Sequence, residues 1–167
     1  MAPRVRIVPV CLDDEAEYLD AVRRSVTLHR PWVSPSPHPE PFRARVQRMH
    51  GPVNHSFLVR RLDTGALAGD IEITNIVRGL FQSGYVGYFA FAGHERQGFM
   101  REGLRLAIRQ AFGPLKLHRL EANIQPGNVA SIALVKACGF TREGYSPRYL
   151  KIRGRWRDHE RWAILAR

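Results

Sequence analysis

The stretch GHERQGFMREGLRLAI, residues 93–108, joins a basic, glycine-bearing loop to the start of an amphipathic helix. Apolar residues then recur at helical spacing, namely Met100, Leu104, Ala107, Ile108 and Ala111, so a helix is predicted to begin after Gly98. A helix N-terminus presents unpaired N–H groups and the positive end of a dipole. With Arg96 and Arg101 beside it, the loop is predicted to hold an anion such as a pyrophosphate. Ordinary loop chemistry is the alternative, because short glycine and arginine motifs are common.

Composition indicates one globular domain over residues 1–167. The chain is 44% apolar and 25% charged, which is typical of a soluble protein. It contains no apolar run of about 18 residues, and the N-terminal segment lacks the apolar centre of a signal peptide. Cys11 and Cys138 lie far apart without metal-ligand spacing. We therefore expect a cytoplasmic protein with no membrane partner and no metal site.

The net charge is strongly positive. Lys and Arg number 26 against 15 Asp and Glu, which gives +11, and residues 141–167 carry eight of these cations against three acids. Such a charge favours acidic partners: nucleic acid, a ribosomal surface or a polyanionic cofactor. An arginine-rich genome is the alternative explanation, since the chain has only three lysines.

The remaining patterns alternate between strands and helices. Strands are predicted over 4–10, 85–93, 116–124, 143–152 and 156–165, with a hairpin over 56–79 that turns at 63–65. Helices are predicted over 13–30, over 42–50, after Gly98 and over 128–139. The segment PWVSPSPHPEP, residues 31–41, holds five prolines and is predicted to be a surface loop over a site.

A second stretch, NIQPGNVASIALVKACGF at residues 123–140, completes a larger pattern. The order strand, Arg/Gly loop, helix, strand, Asn-x-x-Ser helix and Gly-Phe resembles the GNAT acetyltransferases. The stretches NIVRG (75–79), HRLEANIQPGN (118–128) and CGFTREGYSPRYLKIRGRWRDH (138–159) are similar to the Rim-type ribosomal-protein alanine N-acetyltransferases. The resemblance covers about residues 69–162. It implies an α/β (mixed α+β) GNAT fold, with a mostly antiparallel twisted sheet of about seven strands flanked by about four helices.

The resemblance implies acetyl-CoA as co-substrate. The residues that it assigns to acetyl-CoA binding are Phe89, Ala90, Phe91, Arg96, Gln97, Gly98, Phe99, Met100, Arg101, Asn128 and Ser131. The loop departs from the family's Gly-x-Gly pattern because Arg96 replaces the first glycine. We expect Arg96 to keep a negative φ, donate its backbone N–H and direct its guanidinium to a phosphate oxygen; pointing to solvent is the alternative. For Asn128, a hydrogen bond to the pantetheine arm and a helix N-cap are both expected.

Two residues are candidates for catalysis, Ser131 from the resemblance and Glu72 from its predicted position in the sheet. Ser131 would donate a hydrogen bond to the CoA sulfur, because the chain has Val135 where many members carry a tyrosine. Glu72, on a strand facing the cleft, is the favoured general base. Asp158, His159 and a relayed water are alternatives, since a related branch's catalytic glutamate corresponds to Leu150 here.

These features favour acetyl transfer from acetyl-CoA to the N-terminal α-amine of a protein such as a ribosomal protein. A small amine or antibiotic is the alternative acceptor. A basic RNA- or ribosome-binding protein with a relict acetyltransferase site is the alternative of a different class. Asn75 and Arg78 would line the acceptor side, and Trp156 would lie in the core or a site wall. The sequence leaves open whether the protein forms a homodimer.

Overall fold

The computed structural model describes residues 2–167 and contains one seven-stranded sheet in the order β1-β2-β3-β4-β5-β7-β6. The strands are β1 (Val5–Pro9), β2 (His55–Arg61), β3 (Leu67–Val77), β4 (Ser83–Ala90), β5 (Arg119–Ile124), β6 (Thr141–Ile152) and β7 (Arg155–Leu165). Every neighbouring pair is antiparallel except β4 and β5, which are parallel. The predicted mixed α/β fold with a mostly antiparallel sheet is confirmed.

Five helices accompany the sheet, one more than predicted. They are α1 (Glu15–Arg24), α2 (Val26–His29), α3 (Pro39–Arg48), α4 (Phe99–Phe112) and α5 (Val129–Ala137), with a short 3-10 turn at Leu12–Asp14. The extra helix arises because Ser25 interrupts the predicted helix over 13–30; its hydroxyl donates to the carbonyl of Ala21 at 2.6 Å. The proline-rich loop is also shorter than predicted, since Pro39 begins α3, where its missing N–H costs nothing.

Two apolar clusters lie on opposite faces of the sheet. Phe57 and Val59 of β2 belong to the cluster under α4 and α5, whereas Leu58 between them belongs to the cluster under α1 and α3. Alternate strand residues point to opposite faces, so the sheet separates the two cores. Gly103 lets α4 pack closely on β2, because a Cβ there would lie 2.7 Å from Val59 Cγ2.

The sheet opens between β4 and β5. These strands pair only where Ser83–Tyr85 meets Arg119–Glu121, whereas β4 remains paired with β3 as far as Ala90. The later part of β4 therefore has no strand partner on its β5 side, and a V-shaped gap connects the two faces of the sheet. Within residues 2–167, no helix is long and apolar enough to cross a membrane.

Candidate active site

A cavity of about 740 Å³ occupies the gap beside β4; we call it the cofactor cavity. It is bounded by α2, the end of β4, the loop that leads into α4, and the first turns of α4 and α5. Nine of the eleven residues assigned by resemblance to acetyl-CoA binding line it: Phe89, Ala90, Arg96, Gln97, Gly98, Met100, Arg101, Asn128 and Ser131. The fold thus gathers three separate sequence segments around one space.

Two of the assigned residues do not line the cofactor cavity. Phe91 is almost fully buried in the core under α1 and α3, and its N–H donates to the carbonyl of Ala68 at 2.9 Å. The ring of Phe99 is also buried, with the guanidinium groups of Arg4 and Arg61 about 5 Å from its centre. Side-chain contact with a cofactor is therefore not available to either residue, although Phe99 contributes a backbone N–H at the first position of α4.

The backbone of the loop corrects the prediction for Arg96. Its φ is +60°, not negative, and Gly98 two residues later has a φ of +84°. The loop therefore keeps the left-handed conformation that a glycine would adopt freely, and Arg96 adopts it at a cost of about 1–2 kcal/mol.

The loop is fixed by its own polar contacts. Gln97 Nε2 donates to the carbonyl of Gly93 at 2.8 Å, and Arg4 Nε donates to Glu102 Oε1 at 2.6 Å. Because Arg4 pairs with the acid in the first turn of α4, that acid does not oppose an anion. Neither Arg96 nor Arg101 forms an ion pair with another residue in the part of the chain that the structure describes. The helix N-terminus therefore faces the cofactor cavity with two uncompensated cations.

Helix α2, which borders the V-shaped gap, is tied to the end of β4. His29 Nε2 lies 2.8 Å from the carbonyl of Ala90, so this nitrogen must carry the proton and donate. Ser25 Oγ accepts the N–H of Ala92 at 2.9 Å. The break between α1 and α2 thus places two buried polar groups on the end of β4. Burial lowers the pKa of His29 below 6.5, which keeps the imidazole neutral.

Ser131 and Asn128 meet at the start of α5. Asn128 Oδ1 accepts the backbone N–H of Ser131 at 3.2 Å, which is the N-cap contact that sequence reasoning expected as one of its roles. The side-chain amide nitrogen of Asn128 is left for another contact. Ser131 Oγ lies 2.7 Å from Tyr88 Oη.

Sequence reasoning did not find Tyr88. The residue lies on β4, on the face toward α4 and α5, and burial raises its pKa, so it stays protonated. The Tyr88 hydroxyl can donate to the carbonyl of Ser131 at 3.2 Å or to Ser131 Oγ at 2.7 Å. In the second arrangement the serine proton is free to turn toward the cofactor cavity. The only sequence signal for Tyr88 was the alternation of side chains along β4, which places Tyr88 on the face of the sheet that carries the start of α5.

A second cavity of about 460 Å³ adjoins the first; we call it the acceptor cavity. Trp32, Val33 and Phe89 line both cavities. The acceptor cavity lies on the α1–α3 side, under the proline-rich loop and the tip of the β6–β7 hairpin. The ring of Trp32 packs where Gly127 has no side chain, since a Cβ there would lie 3.2 Å from Trp32 Cη2. Residues 32–36 of the proline-rich loop line this cavity; that the cavity is a binding site stays a prediction.

Glu72 lines the acceptor cavity within a buried ionic cluster. Arg45 Nε donates to Glu72 Oε1 at 2.8 Å, and Arg45 Nη2 donates to both oxygens of Asp70 at 2.7–2.8 Å and to Ser56 Oγ. The side chain of Asp70 is fully buried, and that of Arg45 is 12% exposed. Burial raises the pKa of Asp70 to about 6, against the opposing effect of Arg45. Sequence reasoning found Glu72 and missed Arg45 and Asp70.

The other candidate bases lie elsewhere. Asp158 accepts from Tyr145 Oη at 2.6 Å and from the N–H of Arg148 at 2.8 Å, and these bonds hold its pKa below the ordinary value. His159 is buried, and its Nδ1 lies 2.9 Å from the carbonyl of Arg157. Neither lines the acceptor cavity. Both belong to the β6–β7 hairpin, where Asp158 bonds to the backbone at the register shift between Ser146 and Leu150.

Three further expectations on the acceptor side are corrected. Trp156 is 59% exposed and lines neither cavity, although its cross-strand partner Lys151 lines the acceptor cavity. The guanidinium of Arg78 donates to the carbonyl of Leu115, which ties it to the end of the α4–β5 connection. The backbone N–H of Asn75 donates to Asn54 Oδ1 at 3.1 Å, and Asn75 does not line the acceptor cavity.

Comparison with known proteins agrees with this geometry. The profile of the Acetyltransferase (GNAT) domain matches residues 4–141. The chain belongs to the GNAT acetyltransferase family. It is 35% identical over 119 residues to a probable N-acetyltransferase, YjcK, of Bacillus subtilis, covering 71% of this chain and 66% of that protein. It is 39% identical over 97 residues to the ribosomal protein uS5-alanine N-acetyltransferase of Escherichia coli, covering 58% of this chain and 50% of that one.

A solved structure extends the match over the whole GNAT fold. Mycobacterium smegmatis RimJ in complex with CoA-disulfide superposes with a TM-score of 0.88 at 25% identity, covering 97% of this chain and 82% of that one. The matches to the two curated relatives, by contrast, span only about two thirds and one half of their lengths. The family and the Rim-type resemblance are thereby confirmed.

Proposed function

We propose that this GNAT protein transfers the acetyl group of acetyl-CoA to the N-terminal α-amine of a protein, with a ribosomal protein as the favoured acceptor. The observation that carries the proposal is the meeting of two cavities at Trp32, Val33 and Phe89. One cavity offers a helix N-terminus with uncompensated arginines to a polyanion, and the other offers a carboxylate to an amine. The Rim-type relatives support the choice of a protein acceptor.

The proposed chemistry assigns one task to each cavity. Acetyl-CoA supplies the activated acyl group when it is bound. The amine forms a bond to the acyl carbon as the carbon–sulfur bond breaks, and its proton passes to Glu72 directly or through a water. Ser131, oriented by Tyr88, hydrogen-bonds to the departing sulfur. The α-amine has an ordinary pKa near 8, so only a modest base is needed.

The test is a two-step measurement. Calorimetry with acetyl-CoA asks whether the cofactor cavity binds, and an acceptor screen then compares peptides that begin with alanine or serine with small amines. We expect acetyl-CoA binding and acetylation of the peptides. Acetyl-CoA binding with acetylation of small amines alone would support the small-molecule alternative, and no binding would support a relict site.

The basic surface supports one finer proposal, association with ribosomal particles. The net charge of +11 favours polyanions, and such binding weakens with salt because counterions are released. We expect co-sedimentation with ribosomes at low ionic strength and clear loss at physiological ionic strength. Unchanged sedimentation across that range would show that the charge does not drive association.

A further inference from the structure

The charges of the acceptor cavity are separated by depth. Its outer lining carries the exposed cations Arg48, Lys151 and Arg153, from the end of α3 and the tip of the β6–β7 hairpin. Among residues 2–167, none of these three forms an ion pair or a side-chain hydrogen bond. Their charges are therefore directed to no acid of the protein itself.

The inner part of the cavity has the opposite balance. Glu72 is the only acid that lines it, and Glu72 shares Arg45 with the buried Asp70. Two carboxyl groups around one guanidinium leave this inner cluster neutral to negative, depending on the proton of Asp70. An approaching ammonium group is therefore tolerated at depth, whereas a second cation further out would meet three positive side chains.

We infer that the acceptor carries carboxylates within a few residues of its reactive amine, so that it is an acidic N-terminal segment rather than a polyamine or a basic peptide. This inference rests on the proposed function and specifies its substrate class. An amine at the inner end places the following residues of the acceptor against the outer cations. Each exposed charge pair contributes modestly, about twofold in affinity, and three such factors multiply to about tenfold.

The first test uses three peptides that begin with alanine and differ only in the next three residues, which are acidic, neutral or basic. We expect kcat/KM to be about tenfold higher for the acidic than for the basic peptide at low ionic strength, with the neutral peptide between them. The difference should lie in KM rather than kcat, because the outer cations do not touch the reacting atoms. Added salt should reduce it. The polyamine spermidine should be the poorest acceptor.

The second test changes the cations. Arg48→Gln combined with Lys151→Gln should reduce the acidic-to-basic ratio to about threefold or less, again through KM. Arg153 is left in place because its positive φ belongs to the hairpin turn. Arg155→Gln is the matched control: Arg155 is exposed on the same hairpin but lines neither cavity, so the ratio should not change.

The outcomes separate this inference from the proposed function. Equal kcat/KM for the three peptides, or a preference for spermidine, would overturn the inference while leaving acetyl transfer intact. An unchanged ratio in the double variant would overturn the assignment to these two cations. Acetyl-CoA binding without acetylation of any peptide would overturn the proposed function itself.

Discussion

The two cavities adjoin, yet they are built in different ways. The cofactor cavity relies on backbone: a strand edge without a partner, a loop with positive φ at Arg96 and Gly98, and two helix N-termini. The acceptor cavity relies on side chains from α1, α3, β3, β4, the proline-rich loop and the β6–β7 hairpin. The geometry of the first cavity tolerates changes of side chain, because backbone groups do not depend on residue identity. The second can change its acceptor by changing a few side chains.

The comparison predicts that each substitution affects one cavity and spares the other. Cofactor-side changes should alter acetyl-CoA affinity or kcat and leave the choice of acceptor alone. Acceptor-side changes should alter stability or peptide KM and leave acetyl-CoA affinity alone. A substitution that moved both sets of constants would show that the two cavities act as one unit.

The largest effect is expected from Arg45→Met. Among residues 2–167, this change removes the only cation bonded to the fully buried Asp70, and breaking a buried pair in this way costs about 3–5 kcal/mol. Chemical denaturation should show the loss in the free energy of unfolding. Arg43→Met is the matched control on the same helix, because Arg43 pairs with Glu15 at the surface and should change stability little. Similar losses in both variants would show that the buried cluster contributes no more to the free energy of unfolding than the surface pair does.

Ser131→Ala should come next. If its hydroxyl assists departure of the sulfur, kcat should fall about 100-fold while acetyl-CoA affinity stays nearly the same. The helix should tolerate alanine, which is the better helix former. Steady-state kinetics with a peptide acceptor, together with calorimetry, would check both constants. An unchanged kcat would leave Ser131 without a catalytic role.

Tyr88→Phe sharpens the same test. Loss of the 2.7 Å contact to Ser131 Oγ should lower kcat about tenfold, because the serine hydroxyl is no longer oriented. Combined with Ser131→Ala, it should add little, since both changes remove one interaction. Fully additive losses would indicate that Tyr88 acts independently of Ser131.

Gly98→Glu should weaken acetyl-CoA binding about tenfold or more. A side chain at φ +84° is strained, its Cβ would lie 3.0 Å from Arg4 Nη2, and it would place a negative charge at the start of α4. Arg96→Gly should weaken binding less, because glycine adopts the φ of +60° without strain and offsets part of the lost charge effect. Calorimetry would rank the two variants by their affinity for acetyl-CoA. Equal affinity of the wild-type protein and Gly98→Glu would remove the pyrophosphate assignment.

The smallest effect concerns pH and His29. Its pKa in the folded state lies below the ordinary 6.5, so as the pH falls through 6.5 the unfolded chain takes up a proton that folded His29 does not. Folding stability should therefore decrease on acidification. Thermal unfolding at about pH 8 and about pH 5.5 should show a smaller decrease for His29→Gln than for the wild-type protein. Equal decreases in the two proteins would contradict the burial argument.

Much of the cofactor cavity could be predicted from the sequence, because its determinants are local. A few neighbouring residues are enough to predict the conformation at Gly98, in the amphipathic helix after it and in the Asn128-x-x-Ser131 turn. Predictions from local sequence were wrong for the φ of Arg96 and for the helix over residues 13–30. At the break, Ser25 accepts the N–H of Ala92, 67 positions away, and Arg96 adopts a positive φ that arginine rarely takes; residue propensities report neither.

By itself, the sequence determined most of the order of strands and helices and the basic character of the loop at residues 93–101, since periodicity, turn residues and charge are local properties. The single domain stays a prediction. Only the tertiary structure decided which side chains share a site. Tyr88 meets Ser131 across 43 positions, and Arg45 meets Asp70 across 25. The physical reason is that burial and partner geometry, which set hydrogen bonds and pKa values, arise only when the sheet brings remote segments together.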